Sequence, residues 1–206
     1  MQIYRRGKFP TYDDFINAKE FENQTKHLQF CTDYTLSNGL VLEFGVFNGR
    51  SINRLARKFN KDIVFGFDSF EGLPTHWYDV DGIYLPKGTF DVKQLPEVKR
   101  NVRLVKGWFE DTIPKFLDAE NEPIIKLLHI DCDLYSSTYT VLSKLNHKLI
   151  PGTIIIFDEL ANWMNEKSYN YKEGEWKALE EWTYKFNREF TILARGKHCQ
   201  ASIIVR

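Results

Sequence analysis

The sequence has no excess of charge of either sign, because its 28 Lys and Arg residues are matched by 28 Asp and Glu residues. Proteins that bind nucleic acid usually carry a basic surplus, since they must neutralise phosphates. The balance predicts that nucleic acid is not a partner. Hydrophobic residues make up 43% and charged residues 27% of the 206 residues, an ordinary globular composition. We expect a single domain over residues 1–206.

Cysteine and long apolar runs are also scarce. The three cysteines, Cys31, Cys132 and Cys199, are widely separated and form no CxxC pair, which argues against a disulfide framework and against a zinc site. No apolar stretch approaches the roughly 20 residues that a membrane span needs. The first residues, MQIYRRGKFPTYDDF, lack the apolar core of a secretion signal. These absences predict a cytoplasmic protein without a membrane partner.

Apolar runs of strand length alternate with segments of helical spacing along most of the chain. The expected strands cover 40–42, 63–67, 102–105, 124–130 and 153–157, and a closing hairpin joins 190–194 to 201–205. Helical spacing between strands is clearest at Ile52, Leu55, Ala56 and Phe59. This alternation predicts an α/β fold, in which a mostly parallel sheet has helices on both faces and an antiparallel hairpin at its end.

Two segments lie outside the alternation. In the N-terminal segment, residues 1–38, we expect one helix over 12–36 that ends before a Gly. Residues 69–98 are irregular and rich in Gly and Pro, which predicts a lid or substrate loop. Aromatic residues are frequent in this loop and in the segment near 163–171. They would either contact a sugar or an aromatic ring of the substrate or pack within the lid. These residues are Trp77, Tyr78, Tyr84, Trp163 and Tyr169.

Acidic residues stand at the carboxyl ends of four predicted strands: Glu43, Asp68, Asp131 and Asp158. A buried strand that runs into a carboxylate is costly unless that carboxylate has a partner. In parallel α/β sheets, ligands bind at this edge of the sheet. The shared placement therefore predicts a ligand site built from the strand ends.

The turn GVFNG, which follows the first of these acids, predicts a nucleoside-type cofactor. Gly45 and Gly49 let the backbone approach a ligand closely. The next helix would point its first amides and Ser51 at the ligand, which suits a carboxylate. Asp68 is placed to accept hydrogen bonds from ribose hydroxyls. The predicted cofactor contacts are Glu43, Gly45, Phe47, Asn48, Gly49, Ser51, Asp68 and Ser69.

This turn differs from the GxGxxG fingerprint of dinucleotide-binding enzymes. Its glycines stand four apart, and Glu43 precedes them. Glu43 would repel a pyrophosphate but attract the ammonium and sulfonium groups of S-adenosylmethionine. The chemistry favours that cofactor over NAD. A NAD-dependent enzyme is a weaker alternative. A second alternative is a turn with a structural role alone, in which Glu43 caps the turn and the glycines allow the chain to bend.

A second cluster of acids predicts a metal ion. Asp131, Asp158 and Glu159 follow neighbouring predicted strands without a Lys or Arg beside them. Converging carboxylates repel one another unless a cation lies between them, and oxygen ligands suit Mg²⁺ or another hard divalent cation. The alternative is that these acids only accept hydrogen bonds from the cofactor and from backbone amides.

Four motifs resemble the class I S-adenosylmethionine-dependent methyltransferases. LEFGVFNGRS is similar to their first motif, ExGxxxG. GFDSFEGLP (66–74), HIDCDLYSST (129–138) and PGTIIIFDE (151–159) resemble the macrocin O-methyltransferase family and, more distantly, the catechol O-methyltransferases. The resemblance covers roughly residues 39–160 and implies a Rossmann-like fold with a seven-stranded sheet.

The resemblance also implies an activity and several residue roles. The expected reaction transfers a methyl group from S-adenosylmethionine to a hydroxyl of a small molecule, with a sugar or sugar-bearing natural product as the family's substrate. Trp108 and Phe109 would contact adenine, unless they pack in the core. Asp131, Asp158 and Glu159 would hold the metal, and Asp131 would also lie near the cofactor's charged end.

The general base is left open by the sequence. Catechol enzymes carry a lysine where this chain has Leu134 and an Asn where it has Glu159. His76, in the long loop, is the first candidate, followed by Asp79 and Asp133. The predicted catalytic residues are His76, Asp131 and Asp133.

Other functions and assemblies stay open at this level. A metal-independent methyltransferase acting on an amine or a macromolecule is one alternative, although DCDL at 131–134 is unlike the Asn-Pro-Pro-Tyr type of motif used on nucleobase amines. A non-catalytic cofactor-binding protein is another. Ile16 and Phe30 of the N-terminal segment offer apolar contact to a second copy, which makes a homodimer possible.

Overall fold

The computed structural model describes residues 2–119, 124–167 and 170–206. Its strands are β1 (Glu20–Phe21), β2 (Leu40–Phe44), β3 (Val64–Asp68), β4 (Trp77–Tyr78), β5 (Tyr84–Leu85), β6 (Val102–Lys106), β7 (Ile125–Ile130), β8 (Ile154–Phe157), β9 (Phe190–Gly196) and β10 (Ala201–Val205). Eight of them form one sheet in the order β1-β9-β10-β8-β7-β2-β3-β6, and β4 pairs with β5 as a separate hairpin.

The sheet is parallel at its centre and antiparallel near one edge. β2 pairs in parallel with β3 and β7, β3 with β6, and β7 with β8. β10 runs antiparallel to both β8 and β9. The predicted mostly parallel sheet with a closing hairpin is confirmed. The short β1, which pairs with β9, adds an edge strand to the seven that were expected.

Helices cover both faces of the sheet, as predicted. They are α1 (Tyr12–Ile16), α2 (Gln24–Thr32), α3 (Arg50–Lys58), α4 (Phe109–Ala119), α5 (Tyr135–Leu145) and α6 (Glu175–Lys185), with 3₁₀ turns at Asn146–Lys148 and Tyr171–Glu173. Side chains alternate along each strand: Leu42 packs with α4, α5 and α6, and Val41 with α2 and α3. Among the described residues, no helix combines the length and apolar character needed to cross a bilayer.

The single helix expected over 12–36 is wrong, because β1 divides it into α1 and α2. Lys19 accepts a backbone hydrogen bond from Arg195, and the next two residues pair with β9. Asn23 then caps α2, since its side chain accepts from the backbone N–H of Lys26 at 3.0 Å. The sheet edge and this cap outweigh the helical spacing of the apolar residues in this segment.

The residues proposed to contact a second copy already have contacts within the chain. Ile16 packs against the main core. The ring of Phe30 lies 4.7 Å from that of Phe21 and 4.8 Å from that of Tyr34. The homodimer stays a prediction.

The long loop 69–98 folds back on itself beside the end of β3. The backbone N–H of Leu73 donates to Thr89 O at 2.8 Å, and that of Gly88 donates to Leu73 O at 2.9 Å. Gly72 has φ +74°, and a Cβ there would lie 2.4 Å from Thr89 O. These contacts hold residues 72–73 against residues 88–89. The role of the loop as a lid or substrate loop stays a prediction.

Candidate functional site

A cavity of about 830 Å³ opens at the carboxyl ends of the central strands. That is large enough for a nucleoside cofactor and part of a substrate. Its lining includes the predicted site residues Gly45, Phe47, Asn48, Ser51, Asp68, Ser69, Trp108, Phe109, Asp131, Asp133 and Glu159. The other predicted residues, Glu43, Gly49, His76 and Asp158, lie outside that lining.

Gly45 brings the cofactor turn against the acid cluster. Its φ is +91°, and a Cβ at this position would lie 1.7 Å from the backbone oxygen of Asp131. The N–H of Asp131 donates to Phe44 O at 2.8 Å, which locks the two strand ends together. A side chain at residue 45 would therefore separate the two halves of the site.

Glu43 lies beneath the turn rather than in the cavity. The hydroxyl of Ser51 donates to its Oε1 at 2.9 Å, and Nδ1 of His129 lies 2.9 Å from its Oε2. Burial raises the pKa of Glu43, and the contacts with His129 and Ser51 offset part of that rise. Glu43 thus supports the start of α3 through Ser51, and its direct contact with a cofactor stays a prediction.

Asp68 ties the turn to the end of β3. Its Oδ2 accepts from the backbone N–H groups of Val46 and Phe47, both at 2.8 Å, and its Oδ1 accepts from Phe70 N at 2.7 Å. A carboxylate has about four lone-pair sites, so it can take a further donor. The predicted hydrogen bond from a ribose hydroxyl to Asp68 is compatible with this arrangement and stays a prediction.

Exposed aromatic rings form one rim of the cavity. Phe47, Phe90 and Trp108 line it and are 40%, 38% and 38% exposed. The rings of Phe47 and Phe90 meet edge to face with centroids 5.3 Å apart, and both residues have positive φ, +44° and +72°. Such backbone strain in non-glycine residues clusters at ligand sites. Phe109 instead packs its ring against Phe44 at 5.1 Å, so it is partly a core residue.

The acids form two overlapping groups that share Asp131. One ligand atom each from Asp131, Asp133 and Glu159 lies within 4.8 Å of the others, and so do atoms from His129, Asp131 and Asp158. Burial and the charge of Asp158 raise the pKa of both Asp131 and Glu159. Burial, followed by the charges of Asp158 and Asp68, raises the pKa of Asp133 to about 7.

Strand alternation explains why Asp158 and Glu159 fall into different groups. Asp158 faces α2, where its Oδ1 accepts from Gln24 Nε2 at 2.7 Å and lies 3.6 Å from His129 Nε2. Burial opposes ionisation of Asp158, but His129 outweighs it and lowers the pKa. The backbone N–H of Glu159 donates to Oε2 of Glu175 on α6 at 3.0 Å, and its carboxylate joins those of Asp131 and Asp133.

Two buried carboxylate oxygens at this site have no hydrogen-bond partner in the part of the chain that the structure describes. They are Oε2 of Glu159 and Oε1 of Glu175. Glu175, the first residue of α6, is fully buried, and burial raises its pKa well above the ordinary value. The sequence analysis missed Glu175, since nothing marks an acid at a helix start as buried.

The candidate bases have different positions. His76 is exposed and stacks on Tyr84 at 5.7 Å, so it faces away from the cavity. Its neighbour Trp77 points inward, as alternation along β4 requires. Asp133 lines the cavity and has φ +65°. His198, which is not among the site residues that the sequence predicts, lines the cavity with Nε2 3.2 Å from Asp81 Oδ1.

The aromatic residues that the sequence assigns to the lid differ in where their side chains lie. Trp77 lines the cavity, whereas Tyr78 and Tyr84 are each 53% exposed on the outer face of the hairpin. Trp163 is buried and stacks on Phe15 at 5.6 Å. Tyr169 lies outside the described residues.

Sequence comparisons identify the family. The model of the macrocin O-methyltransferase (TylF) family matches residues 22–174. A tetracenomycin-pathway protein of Streptomyces olivaceus, 8-demethyl-8-(2,3-dimethoxy-alpha-L-rhamnosyl)-tetracenomycin-C 4'-O-methyltransferase, is 30% identical over 170 residues, or 71% of this chain and 62% of that protein. Demethyldecarbamoylnovobiocin O-methyltransferase of Streptomyces niveus is 30% identical over 70% of this chain and 61% of its own length. The chain thus spans less than two thirds of these relatives.

Solved structures show the same fold. The calicheamicin methyltransferase CalS11 superposes with a TM-score of 0.68 at 25% identity, over 87% of this chain and 77% of that one. The O-methyltransferase NovP gives a TM-score of 0.59 at 21% identity, over 88% of this chain and 78% of its own. MycE, solved with Mg and SAH, gives 0.55 at 15% identity, over 87% of this chain and 48% of its own. The chain has the Rossmann-like class I methyltransferase fold and belongs to the macrocin O-methyltransferase family.

Proposed function

We propose that this protein is an S-adenosylmethionine-dependent O-methyltransferase that acts on a sugar hydroxyl of a natural product or its precursor. The contact between Gly45 and Asp131 carries this proposal, because it places a cofactor turn and an acid cluster on one cavity. The names of the relatives support the substrate class, since they describe O-methylation of a rhamnosyl tetracenomycin, a novobiocin precursor and a mycinamicin.

The cavity residues fit the cofactor from one end to the other. The first amides of α3 would bind its carboxylate, since a helix N-terminus favours an anion, and Ser51, whose hydroxyl donates to Glu43, would support that turn. Asp68 would accept from the ribose, and Trp108 would cover the adenine. Phe47 and Phe90 present exposed rings that a bound nucleoside would shield from water. When bound, S-adenosylmethionine supplies the methyl group at its sulfonium.

The acid cluster fits a divalent cation, Mg²⁺ or a similar ion. The atoms that would coordinate the cation are carboxylate oxygens. One of them, Glu159 Oε2, is buried without a hydrogen-bond partner among the described residues. Asp131 belongs to both acid groups, so a cation beside it would have either Asp158 or the pair Asp133 and Glu159 within reach. MycE, which was solved with Mg and SAH, supports the assignment. A bound cation would lower the pKa of the substrate hydroxyl.

Asp133 is our proposed general base. It lines the cavity beside Asp131, whereas the first candidate, His76, faces solvent on the outer side of the hairpin. Asp133 takes the hydroxyl proton while the cavity walls align the oxygen with the methyl group. Alignment of this kind supplies much of the rate enhancement in a displacement reaction.

Methyl transfer to a panel of acceptors tests the proposed function. The purified protein is incubated with S-adenosylmethionine carrying a labelled methyl group and with matched deoxysugar glycosides that bear a hydroxyl or an amine at the same position. We expect O-methylated product by mass spectrometry, and its loss on addition of a chelator. Methylation of the amine acceptors alone, unaffected by chelator, would favour the metal-independent alternative.

A further inference from the structure

A chain of polar contacts runs from α3 through α2 to the end of β8. Nη1 of Arg54 donates to Gln24 Oε1 at 3.0 Å, and Gln24 Nε2 donates to Asp158 Oδ1 at 2.7 Å. Gln24 is the first residue of α2, and both Gln24 and Arg54 line the cavity. The amide oxygen of Gln24 therefore accepts from an arginine at the cavity, and its amide nitrogen donates to a buried carboxylate.

A second path leads from Asp158 back to α3. Asp158 Oδ1 lies 3.6 Å from His129 Nε2, His129 Nδ1 lies 2.9 Å from Glu43 Oε2, and Glu43 Oε1 accepts from the Ser51 hydroxyl at 2.9 Å. Asp158, His129 and Glu43 are all buried. Polar networks in such low-dielectric surroundings respond strongly when one member changes partner.

The two paths close into a ring, because Ser51 and Arg54 lie three residues apart on the same helix and both face the cavity. One side of the ring is the start of α3, where we place the cofactor carboxylate. The opposite side is Asp158, which we place at the metal. A ligand that orders one side therefore restricts the orientation of the other.

We propose that Gln24 is a positioning residue that couples the two ligand sites, so that cofactor and divalent cation each bind more tightly when the other is present. The proposal rests on the proposed function. A bound cofactor would order Arg54 and, through it, the amide of Gln24. Gln24 would then hold Asp158 away from His129 in the orientation that a cation needs. Without Gln24, Oδ1 of Asp158 keeps His129 as its neighbour and loses its direct link to Arg54 at the cavity.

Calorimetric titration of the full chain with MgCl₂, with and without saturating S-adenosylhomocysteine, tests the coupling. For the natural protein we expect Mg²⁺ affinity to rise about fivefold or more when S-adenosylhomocysteine is present, the lower end of typical coupling between sites. The reverse titration must give the same factor. In Gln24→Ala, both ligands should still bind, but the factor should fall toward one. Gln29→Ala, an exposed glutamine of α2, is the matched control and should keep the full factor.

Arg54→Gln provides a second variant that leaves the contact between Gln24 and Asp158 in place. It should also reduce the coupling, which separates loss of the link from damage to α2. An unchanged factor in Gln24→Ala, or no coupling in the natural protein, would overturn the proposal. Failure of the natural protein to bind S-adenosylhomocysteine at all is a different result, because it would remove the proposed function and the coupling together.

Discussion

The backbone oxygen of Asp131 occupies the space that a side chain on Gly45 would need, 1.7 Å from the position of a Cβ. This contact joins the turn after β2 to the end of β7. The residues proposed to hold the methyl donor and those proposed to hold the metal are thereby fixed relative to one another by backbone atoms. The account of the site depends on this relationship more than on any one side chain.

Gly45→Ala is expected to destabilise the fold and to abolish cofactor binding. A left-handed backbone costs a residue with a Cβ about 1–2 kcal/mol, and the clash with Asp131 adds to that cost. Gly88→Ala is a matched control, since Gly88 has φ +85° but open space around its Cβ position. Urea unfolding should show a clearly larger loss for Gly45→Ala than for Gly88→Ala. Equal losses would mean that the contact with Asp131 is not a constraint.

Phe90→Gly should weaken S-adenosylhomocysteine binding without weakening the fold. The ring of Phe90 is 38% exposed and its φ of +72° suits glycine, so removal relieves backbone strain. Loss of the aromatic contact should cost about 0.5–1.5 kcal/mol of binding free energy, measurable by calorimetry. Tyr84→Ala, an exposed ring of the same loop outside the cavity lining, should bind normally. Unchanged binding by Phe90→Gly would remove the ring from the cofactor site.

Asp133→Asn should lower kcat by about 10²–10⁴-fold, the usual contribution of a general base, while S-adenosylhomocysteine affinity changes little. His76→Asn should leave kcat close to that of the natural protein, because His76 stacks on Tyr84 away from the cavity. Steady-state kinetics with the best acceptor from the glycoside panel makes the comparison. The reverse ranking of the two variants would restore His76 as the base.

The metal-free protein should lose stability as pH rises from about 4 to about 7. Asp133 has its pKa raised from 3.8 to about 7, so the folded state holds a proton that the unfolded chain releases at lower pH. The His129 pKa, raised well above 6.5 because Asp158 and Glu43 outweigh burial, extends the loss to higher pH. Urea unfolding in chelator should show this slope, reduced in Asp133→Asn.

Added Mg²⁺ should reverse much of this loss at pH 8, because a cation that binds only the folded state stabilises it by an amount that grows with the logarithm of its concentration relative to its Kd. Asp131→Asn, which removes the acid shared by both groups, should lose that Mg²⁺ effect. A stability that rises from pH 4 to 7 in chelator would contradict the raised pKa of Asp133. An equal Mg²⁺ effect in Asp131→Asn would contradict the assignment of the metal site.

Much of the fold follows from local pattern. The apolar runs that end in Glu43, Asp68 and Asp131 mark buried parallel strands, and each lies where the sequence predicts. The prediction of a single N-terminal helix was wrong because its division depends on pairing of Glu20 and Phe21 with Arg195 and Gly196 of β9, 195 − 20 = 175 positions further along the chain. Local spacing carries no information about such a partner.

The candidate site was less predictable for the same reason. Most of the site residues that the sequence predicts follow strand ends and do line the cavity. Three other residues contribute to the site: Gln24 at the start of α2, Phe90 in the long loop and Glu175 at the start of α6. The spacing of apolar residues does not mark any of these positions. Glu43 lies beneath the turn, beside Ser51 and His129, and its contact with the cofactor stays a prediction.

Calorimetric titration of the purified chain with S-adenosylhomocysteine, in the presence of Mg²⁺ and with NAD⁺ as the comparison ligand, tests the central claim most directly. The account predicts binding of S-adenosylhomocysteine with a Kd of about 1 μM, or about −8 kcal/mol, and no binding of NAD⁺. A folded protein that binds NAD⁺ but not S-adenosylhomocysteine, or that binds neither, would contradict the assignment of the turn at Gly45 to a methyl donor.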